Sequence, residues 1–384
     1  MKVDSPHIDV LHVTEACGGG VSRHIRLIVP ELQASGVRCA VCGFGQRVEE
    51  NFLNDLTLFG QAGIQTEFWP FNHGNALGTA AFILHLRRLL RDWRPAIIHA
   101  HATLAGLACR VARDALPGVR VVYSPHAFAL HPSLPWHLRN AIRLLETWAA
   151  HRTDAYAFVG RSEIEDANAI RLPANKFHLI ENGLPQTYPD RLYTREDARK
   201  ALNLPRDGRF AVIPCRLVRQ KGLDQVLHAI TRLGPECSDI QFMFCGVGPE
   251  RDLLLSIAGQ LGIASRTHFP GTIDRLDVLL PAFDMAILPS LYEGLSYVLL
   301  ESLAAGIPLI VSDILANVPR PELRDILNTF TVGDCDELAA QITLVAGDPQ
   351  RTQARASLGA AYMRQNFRLS SQIQKLSNLY RFLQ

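Results

Sequence analysis

Short apolar runs, each closed by a turn residue and followed by a stretch of helical period, recur along almost the whole chain. They fall at Ile8–Val13, Val37–Phe44, Gln65–Phe68, Ala96–Ala100, Val119–Ser124, Ala155–Val159 and Phe177–Ile180. The series then restarts at Phe210–Ile213, Ile240–Cys245, Thr267–Phe269, Asp284–Leu288 and Leu309–Val311. Most of these runs lack a polar face, which is how parallel strands covered on both sides read. Strand–helix alternation of this kind winds helices over both faces of a parallel sheet. A length of 384 residues exceeds one ordinary core. The break falls after Glu181-Asn182-Gly183, in the polar stretch bounded by Pro185 and Pro189. We therefore expect two α/β domains, residues 1–184 and 190–367, with a final helix over about 368–384 packing back on the first.

Composition excludes several classes. A net charge of +2 gives no general argument for nucleic acid. Eight cysteines in so long a chain do not form a disulfide framework. Cys39 and Cys42 make a CxxC, but residues three apart on a strand face opposite sides, so both read as small buried hydrophobes. The opening MKVDSPHIDVLHV lacks the apolar segment of an export leader. No uncharged apolar run reaches the ~18 residues that span a bilayer. A cytoplasmic protein with reduced thiols is expected. Charge is nonetheless uneven. Phe82–Arg143 carries nine arginines against two aspartates, a balance of +7. Within it Phe82–Arg94 reads as a basic amphipathic helix. That pattern serves either a surface helix of an α/β domain or peripheral contact with anionic lipid at the inner face of the cell membrane.

The residues that can carry chemistry sit just past the strands. Gly18-Gly19-Gly20 follows the first run and opens a helix expected over about Val21–Ala34, where backbone N–H groups can approach a phosphate or a sugar. His99 and His101 frame the end of one run, and His126 follows another beside Pro125. No carboxylate spacing accompanies them as a metal set would require, and they read as polar residues at a strand's carboxyl end, where ligand crevices form. Arg216 and Lys221 flank the loop after Phe210–Ile213; guanidinium grips phosphate bidentately and ammonium adds a compact charge. The turns Gly246-Val247-Gly248-Pro249 and Pro270-Gly271-Thr272 expose backbone groups able to read a base edge. Pro289–Gly306 is a strand–turn–helix element, helical from about Tyr297 to Ala305. Glu293 lies in its turn and Glu301 in its helix. Were the whole span helical, the two carboxylates would be about 12 Å apart, roughly the reach from a sugar across a diphosphate to a ribose.

In this order, CRLVRQKG, the GVGP turn, the PGT turn and PSLYEGLSYVLLESLAAGIP resemble the GT-B glycosyltransferases of family 4. The likeness spans the chain and is most specific from Ile213 to Pro308; the glycine loop, the SPHAF segment and Asn182-Gly183 match more loosely. The resemblance implies two Rossmann-like domains facing a central cleft, the first for the acceptor and the second for a nucleotide-sugar donor. It assigns Arg216 and Lys221 to the donor diphosphate, Glu293 to the donor sugar and Glu301 to the ribose. Gly19 and Gly20 fall near donor phosphate and acceptor. Gly246, Gly271, Gly294, Leu295 and Ser296 fall among the donor-binding positions, and His126 near the transferred sugar. It implies a retaining transfer from a UDP-sugar to a glycan or lipid-linked acceptor in cell-surface polysaccharide or glycoconjugate synthesis, with no metal and no cofactor. Cys215 stands where the family often has glycine. Ser312–Glu322 lacks the glycine pair usual after Leu309–Val311. A GT-B epimerase and a non-catalytic nucleotide-sugar binding subunit are the alternatives; the paired glutamates favour transfer over epimerisation, and the four intact charged residues argue against the binder.

Overall fold

A computed structural model describes residues 8–45, 48–70, 76–128, 130 and 135–384. The lead over residues 1–7, on which the absence of an export leader partly rested, lies outside them. The chain forms two compact units. One comprises the residues up to Asn182 together with Leu369–Gln384, the other Gly183–Arg368.

The first unit is a seven-stranded sheet of β1 (Val10–Thr14), β2 (Cys39–Phe44), β3 (Gln65–Trp69), β4 (Ile97–His101), β5 (Arg120–Ser124), β6 (Ala155–Phe158) and β7 (Phe177–Leu179). The order is β3-β2-β1-β4-β5-β6-β7, all parallel. Winding reverses between β1 and β4, so the loops leaving those two strands diverge and open a crevice at their carboxyl ends. Every residue of β1, β2 and β4 is buried. That is why these strands read as mostly apolar runs, interrupted only by residues such as His12, Thr14, His99 and His101 that are themselves buried.

Each sheet face has its own core. Leu11, Ala40 and Cys42 pack with Phe82, Leu86 and Leu90 on one side. Val10, Cys39 and Val41 pack with Ile25, Ile28 and Leu376 on the other. The two cysteines of the CxxC therefore point into different layers. Burial raises both thiols above their ordinary value, Cys39 to about 12. The helix Ala76–Trp93 turns Phe82, Leu86, Leu89 and Leu90 inward. Its apolar face is thus used in the core, and packing accounts for its amphipathic pattern.

The second unit is a six-stranded parallel sheet of β8 (Phe210–Pro214), β9 (Gln241–Cys245), β10 (Thr267–Gly271), β11 (Met285–Leu288), β12 (Leu309–Ser312) and β13 (Asn328–Phe330). Its order is β10-β9-β8-β11-β12-β13, with the reversal between β8 and β11. The edge strand β13 escapes the apolar pattern. It is three residues long and begins at a buried Asn328, whose Nδ2 donates to Leu309 O at 3.1 Å. Among the described residues no helix is long and apolar enough to cross a membrane.

The helix Leu369–Leu383 follows the second unit in sequence but belongs to the first. Leu376, Leu379 and Tyr380 enter the core beside the helix Gly19–Ala34. Tyr380 OH lies 2.6 Å from His99 Nδ1. Leu376→Ala should destabilise the first unit by about 2–5 kcal/mol, the usual range for emptying a buried leucine site. A urea midpoint shifted down at unchanged slope is the expected signature, and Phe382→Ala, with its side chain in solvent, should leave the midpoint in place.

Candidate active site

At the reversal in the second unit, three loops are locked together before any ligand arrives. The loop after β8 bonds to the loop after β9: Cys215 N donates to Cys245 O at 3.1 Å, and Leu217 N to Val247 O at 3.0 Å. This approach needs Gly246, where a Cβ would fall 2.0 Å from Cys215 O. The β8 loop also bonds to the loop after β11. Leu291 N donates to Gln220 O at 2.8 Å, and Gln225 Nε2 to Pro289 O at 3.1 Å. Gly222 permits it, left-handed at φ 58°, with room for only a hydrogen where a Cβ would meet Pro289 O at 2.4 Å.

The structure brings Lys221 and Glu293 together on this frame. Lys221 Nζ pairs with Glu293 Oε1, and both side chains are largely buried. Ser290 Oγ donates to the same oxygen at 3.0 Å, and Gln220 Nε2 lies 3.4 Å from Oε2. Arg216 stands exposed on the same loop. Lys221, Ser290, Glu293 and Ser296 line one narrow pocket, with Cys215 and Asn317. Ser296 caps the helix Tyr297–Ala304 by accepting from Leu299 N at 3.2 Å. Glu301 is buried in that helix, whereas Glu293 precedes it. The turn Gly294–Ser296 intervenes, so a helical rise does not measure their separation. Gly271 ends β10 at φ 82°. Burial raises the Cys215 thiol to about 12, so it sits neutral beside the cations.

Sequence patterning missed the residues that hold this frame. Ser312 Oγ donates to Ser290 O at 2.6 Å, and Asn317 Nδ2 donates to Ser312 Oγ at 2.9 Å and Leu288 O at 3.3 Å. These side-chain bonds occupy the segment where the family's glycine pair is absent. A cavity of about 670 Å³ lies instead at the strands' amino ends, near Arg195, Phe210 and Asp284, away from all these groups.

In the first unit the helix after the glycine loop begins at Gly19, earlier than Val21, with Gly18 as its N-cap. Gly19 N donates to Glu49 Oε1 at 3.1 Å, and Gly20 is exposed. At the winding reversal the carboxyl ends of β1, β4 and β5 gather histidines. His12 and His101 face each other at 3.1 Å, and His101 and His126 at 3.0 Å. His24 Nδ1 lies 3.0 Å from Asn182 Oδ1. His99 uses Nδ1 on Tyr380 and Nε2 on Ser124 Oγ, the latter at 2.9 Å. Two trios, His12/His99/His101 and His24/His101/His126, bring ligand atoms within 4.8 Å of one another. The facing nitrogens of these trios are engaged with each other or with hydroxyls and an amide, and among the described residues no carboxylate joins either set. His12 and His24 gave no signal in the sequence because each lies within an ordinary strand or helix pattern.

Two carboxylates brace this edge. Glu15 accepts from Leu104 N at 2.7 Å and Ala105 N at 2.9 Å. Glu163 accepts from Val159 N at 2.6 Å, Gly160 N at 3.1 Å and Ala127 N at 3.0 Å. It thereby anchors the loop in which His126 and Ala127 both have positive φ, 58° and 128°.

Comparison with known proteins agrees with this architecture. Residues 18–187 match the family described as Glycosyltransferase Family 4, and residues 194–361 that described as Glycosyl transferases group 1. The chain belongs to glycosyltransferase family 4. A glycogen synthase of Mycobacterium tuberculosis is 26% identical over 369 residues, covering 88% of this chain and 85% of its own. The alpha-D-kanosaminyltransferase of Streptomyces kanamyceticus is 23% identical over 329 residues, covering 80% and 82%. The crystal structure of Anabaena Alr3699/HepE with UDP and glucose superposes with a TM-score of 0.81 at 19% identity, over 98% of this chain and 100% of the other. At that identity the superposition speaks for the GT-B fold of this glycosyltransferase.

Burial holds the five imidazoles neutral. It draws His12 down to about 3 and His24 to about 4, and puts His99, His101 and His126 well below the usual value. Burial also pushes Glu15 and Glu163 up to about 7, against the N–H groups that pull them down. Below pH ~6.5 an unfolded chain protonates its histidines while the folded one does not, so acid favours unfolding. The two carboxyls act in the opposite sense, since between pH ~4.5 and 7 they hold protons better when folded. Between pH 6.5 and 5.5 the unfolded imidazoles are on average about three-quarters protonated, so five imidazoles less two carboxyls leave about two protons taken up on unfolding, or ~3 kcal/mol lost over that pH unit. Urea titrations at pH 6.5 and 5.5 should show this drop, and equal stability at the two values would contradict neutral burial of the cluster.

Proposed function

We propose that this glycosyltransferase moves a sugar, with retention, from a UDP-sugar to a glycan or lipid-linked acceptor of cell-surface polysaccharide. The observation that carries the reading is the Lys221–Glu293–Ser290 cluster, fixed beside Arg216 at the winding reversal of the second unit. The hard step is departure of a nucleoside diphosphate from the anomeric carbon. Arg216 and Lys221 stabilise the charge that develops on the leaving phosphate. These two cations supply what a divalent metal would otherwise provide, so neither metal nor cofactor is required. Glu293 orients the donor sugar, Glu301 holds the ribose, and the turns at Gly246 and Gly271 meet the base. Attack occurs on the face the diphosphate leaves, and that phosphate takes the acceptor's proton. In this reading the second unit binds donor and the first binds acceptor, with Gly19, Gly20 and His126 at its carboxyl edge. The UDP bound by Alr3699/HepE supports the choice of nucleotide.

UDP, GDP and ADP, each with and without EDTA, should be compared by thermal shift. A ligand at 100 times its dissociation constant stabilises by about 2.7 kcal/mol. UDP alone should shift the transition, EDTA should leave the shift unchanged, and Lys221→Ala should weaken UDP binding at least tenfold. A shift that EDTA abolishes, or none with any nucleotide, would overturn the reading.

A lipid-linked acceptor is supported by the helix Trp136–Ala149, which exposes Trp136 at 70%, Leu144 at 66% and Trp148 at 50%. Its one acid, Glu146, turns inward to a buried pair with Arg110 at 2.7 Å, while Arg143 faces water. Exposed tryptophan and leucine beside arginine suit the interface of an anionic bilayer. The chain should co-sediment with phosphatidylglycerol vesicles and not with phosphatidylcholine. Combined Leu144→Ala and Trp148→Ala should lower that binding at least tenfold; vesicle binding that survives both changes would place the contact elsewhere.

A further inference from the structure

The histidines of the first unit form a chain whose proton positions can be worked out. His12 Nδ1 lies 3.1 Å from His101 Nε2, and His101 Nδ1 lies 3.0 Å from His126 Nε2. A neutral imidazole has one N–H and one lone pair. His101 therefore donates through one nitrogen and accepts through the other, and only two arrangements of the three rings exist. In one, protons sit on Nδ1 of His12, His101 and His126, and each bond points toward His126. In the other, they sit on Nε2 throughout, and each bond points toward His12.

The buried end decides between them. His12 is fully buried, and among the described residues its Nε2 has no hydrogen-bond partner. The second arrangement would leave an N–H there without an acceptor. The first leaves only a lone pair. Buried N–H groups without acceptors are the rarer and costlier of the two defects. Protons therefore sit on Nδ1 along the whole chain, and His126 accepts through Nε2 from His101.

The neighbouring ring supplies an internal contrast. Ser124 Oγ donates to Ala157 O at 2.6 Å, so it accepts from His99 Nε2, and His99 Nδ1 accepts from Tyr380 OH. His99 thus has the opposite tautomer to His12, His101 and His126, although His99 and His12 are register partners on adjacent strands.

We propose that His12 and His101 act as a tautomer lock on His126, so that it meets substrate as a fixed hydrogen-bond donor through Nδ1–H. Among the described residues the only hydrogen bond reaching the His126 ring is that of His101, which leaves Nδ1 for a ligand. With Nε2 already accepting, the ring has no lone pair to offer an acceptor hydroxyl, so it is not the general base. It donates to an oxygen of the sugar or acceptor that reaches the carboxyl edge of the first sheet. His101 is a positioning residue in this scheme. The proposal rests on the glycosyl-transfer reading for its substrate but not for its proton positions.

The test is two-bond proton–nitrogen NMR on the full chain labelled with ¹⁵N-histidine, at pH 7.5 and without ligand. Signals are assigned with His99→Gln, His101→Asn and His126→Asn. Free neutral histidine favours the Nε2–H form, so Nδ1–H at His126 is a non-trivial outcome. We expect Nδ1–H at His12, His101 and His126 and Nε2–H at His99. His101→Leu should let His126 revert toward Nε2–H, whereas His101→Asn, whose amide can still donate near the Nδ1 position, should keep Nδ1–H. With UDP-glucose as probe, His101→Leu should lower kcat at least tenfold at little-changed KM, and His101→Asn should regain most of it. An Nε2–H signal at His126 in the parent chain, or wild-type kcat in His101→Leu, overturns the proposal. The tautomers are read without nucleotide, so a wrong tautomer leaves the transfer reading standing. Failure to bind any nucleotide removes that reading without altering the tautomers.

Discussion

Where a parallel sheet reverses its winding, the loops leaving two adjacent strands must part, and their backbone groups lose the neighbours that the ladder would have provided. Both units meet this constraint, and both answer it with polar side chains. In the second unit Gln220, Gln225, Ser312 and Asn317 bind the loop backbones that diverge between β8 and β11. In the first, Glu15 does so with its carboxylate, and Glu163 binds the next two loops along, after β5 and β6. The residues read as functional are those left over once this accounting is complete. Arg216, Lys221 and Glu293 on one sheet and His126 on the other project from loops whose backbone is already bonded, so the backbone that carries them is set before a ligand arrives. A fixed backbone limits, without abolishing, the reorganisation that charged groups need to stabilise developing charge.

The two edges use opposite electrostatics. The second unit keeps its charges, pairing ammonium with carboxylate in a largely buried site and leaving a guanidinium in water. The first unit buries ionisable rings and suppresses their charge. An ammonium–carboxylate pair can open to admit a dianion, because each partner regains contacts with the incoming ligand. A chain of neutral imidazoles gives no such flexibility of charge. What it provides is direction, since each ring dictates where the next one holds its proton.

Much of this was legible in the sequence. Strand-by-strand alternation predicted two doubly wound sheets because buried parallel strands need apolar side chains on both faces. The same logic explains why Asn328–Phe330 was invisible: a three-residue edge strand led by a polar residue carries no periodic signal. The amphipathic pattern of Phe82–Arg94 was read as either a membrane face or a core face, and Phe82, Leu86 and Leu90 show the core face. The exposed apolar surface lies on Trp136–Ala149, where inward packing is limited to few residues. Charged candidates such as Arg216 and Glu293 could be picked out because their spacing follows local turns. His12, His24, Ser312 and Asn317 could not, because their partners are brought together by sheet topology and lie far away in sequence.

The helix Leu369–Leu383 gives the first unit an unusual history. During synthesis the ribosome completes all seven strands of the first sheet well before it makes Leu376 and Tyr380. At ~5–20 residues per second, the intervening second unit takes on the order of ten to forty seconds to emerge. Through that interval one apolar face, around Ile25, Ile28 and Cys39, lacks its cover, and the His99 ring lacks the hydroxyl that closes its pairing. The nascent first unit therefore keeps that apolar surface uncovered until the last helix emerges. Its maturation ends only when the second has been made, which ties completion of one sheet to synthesis of the other.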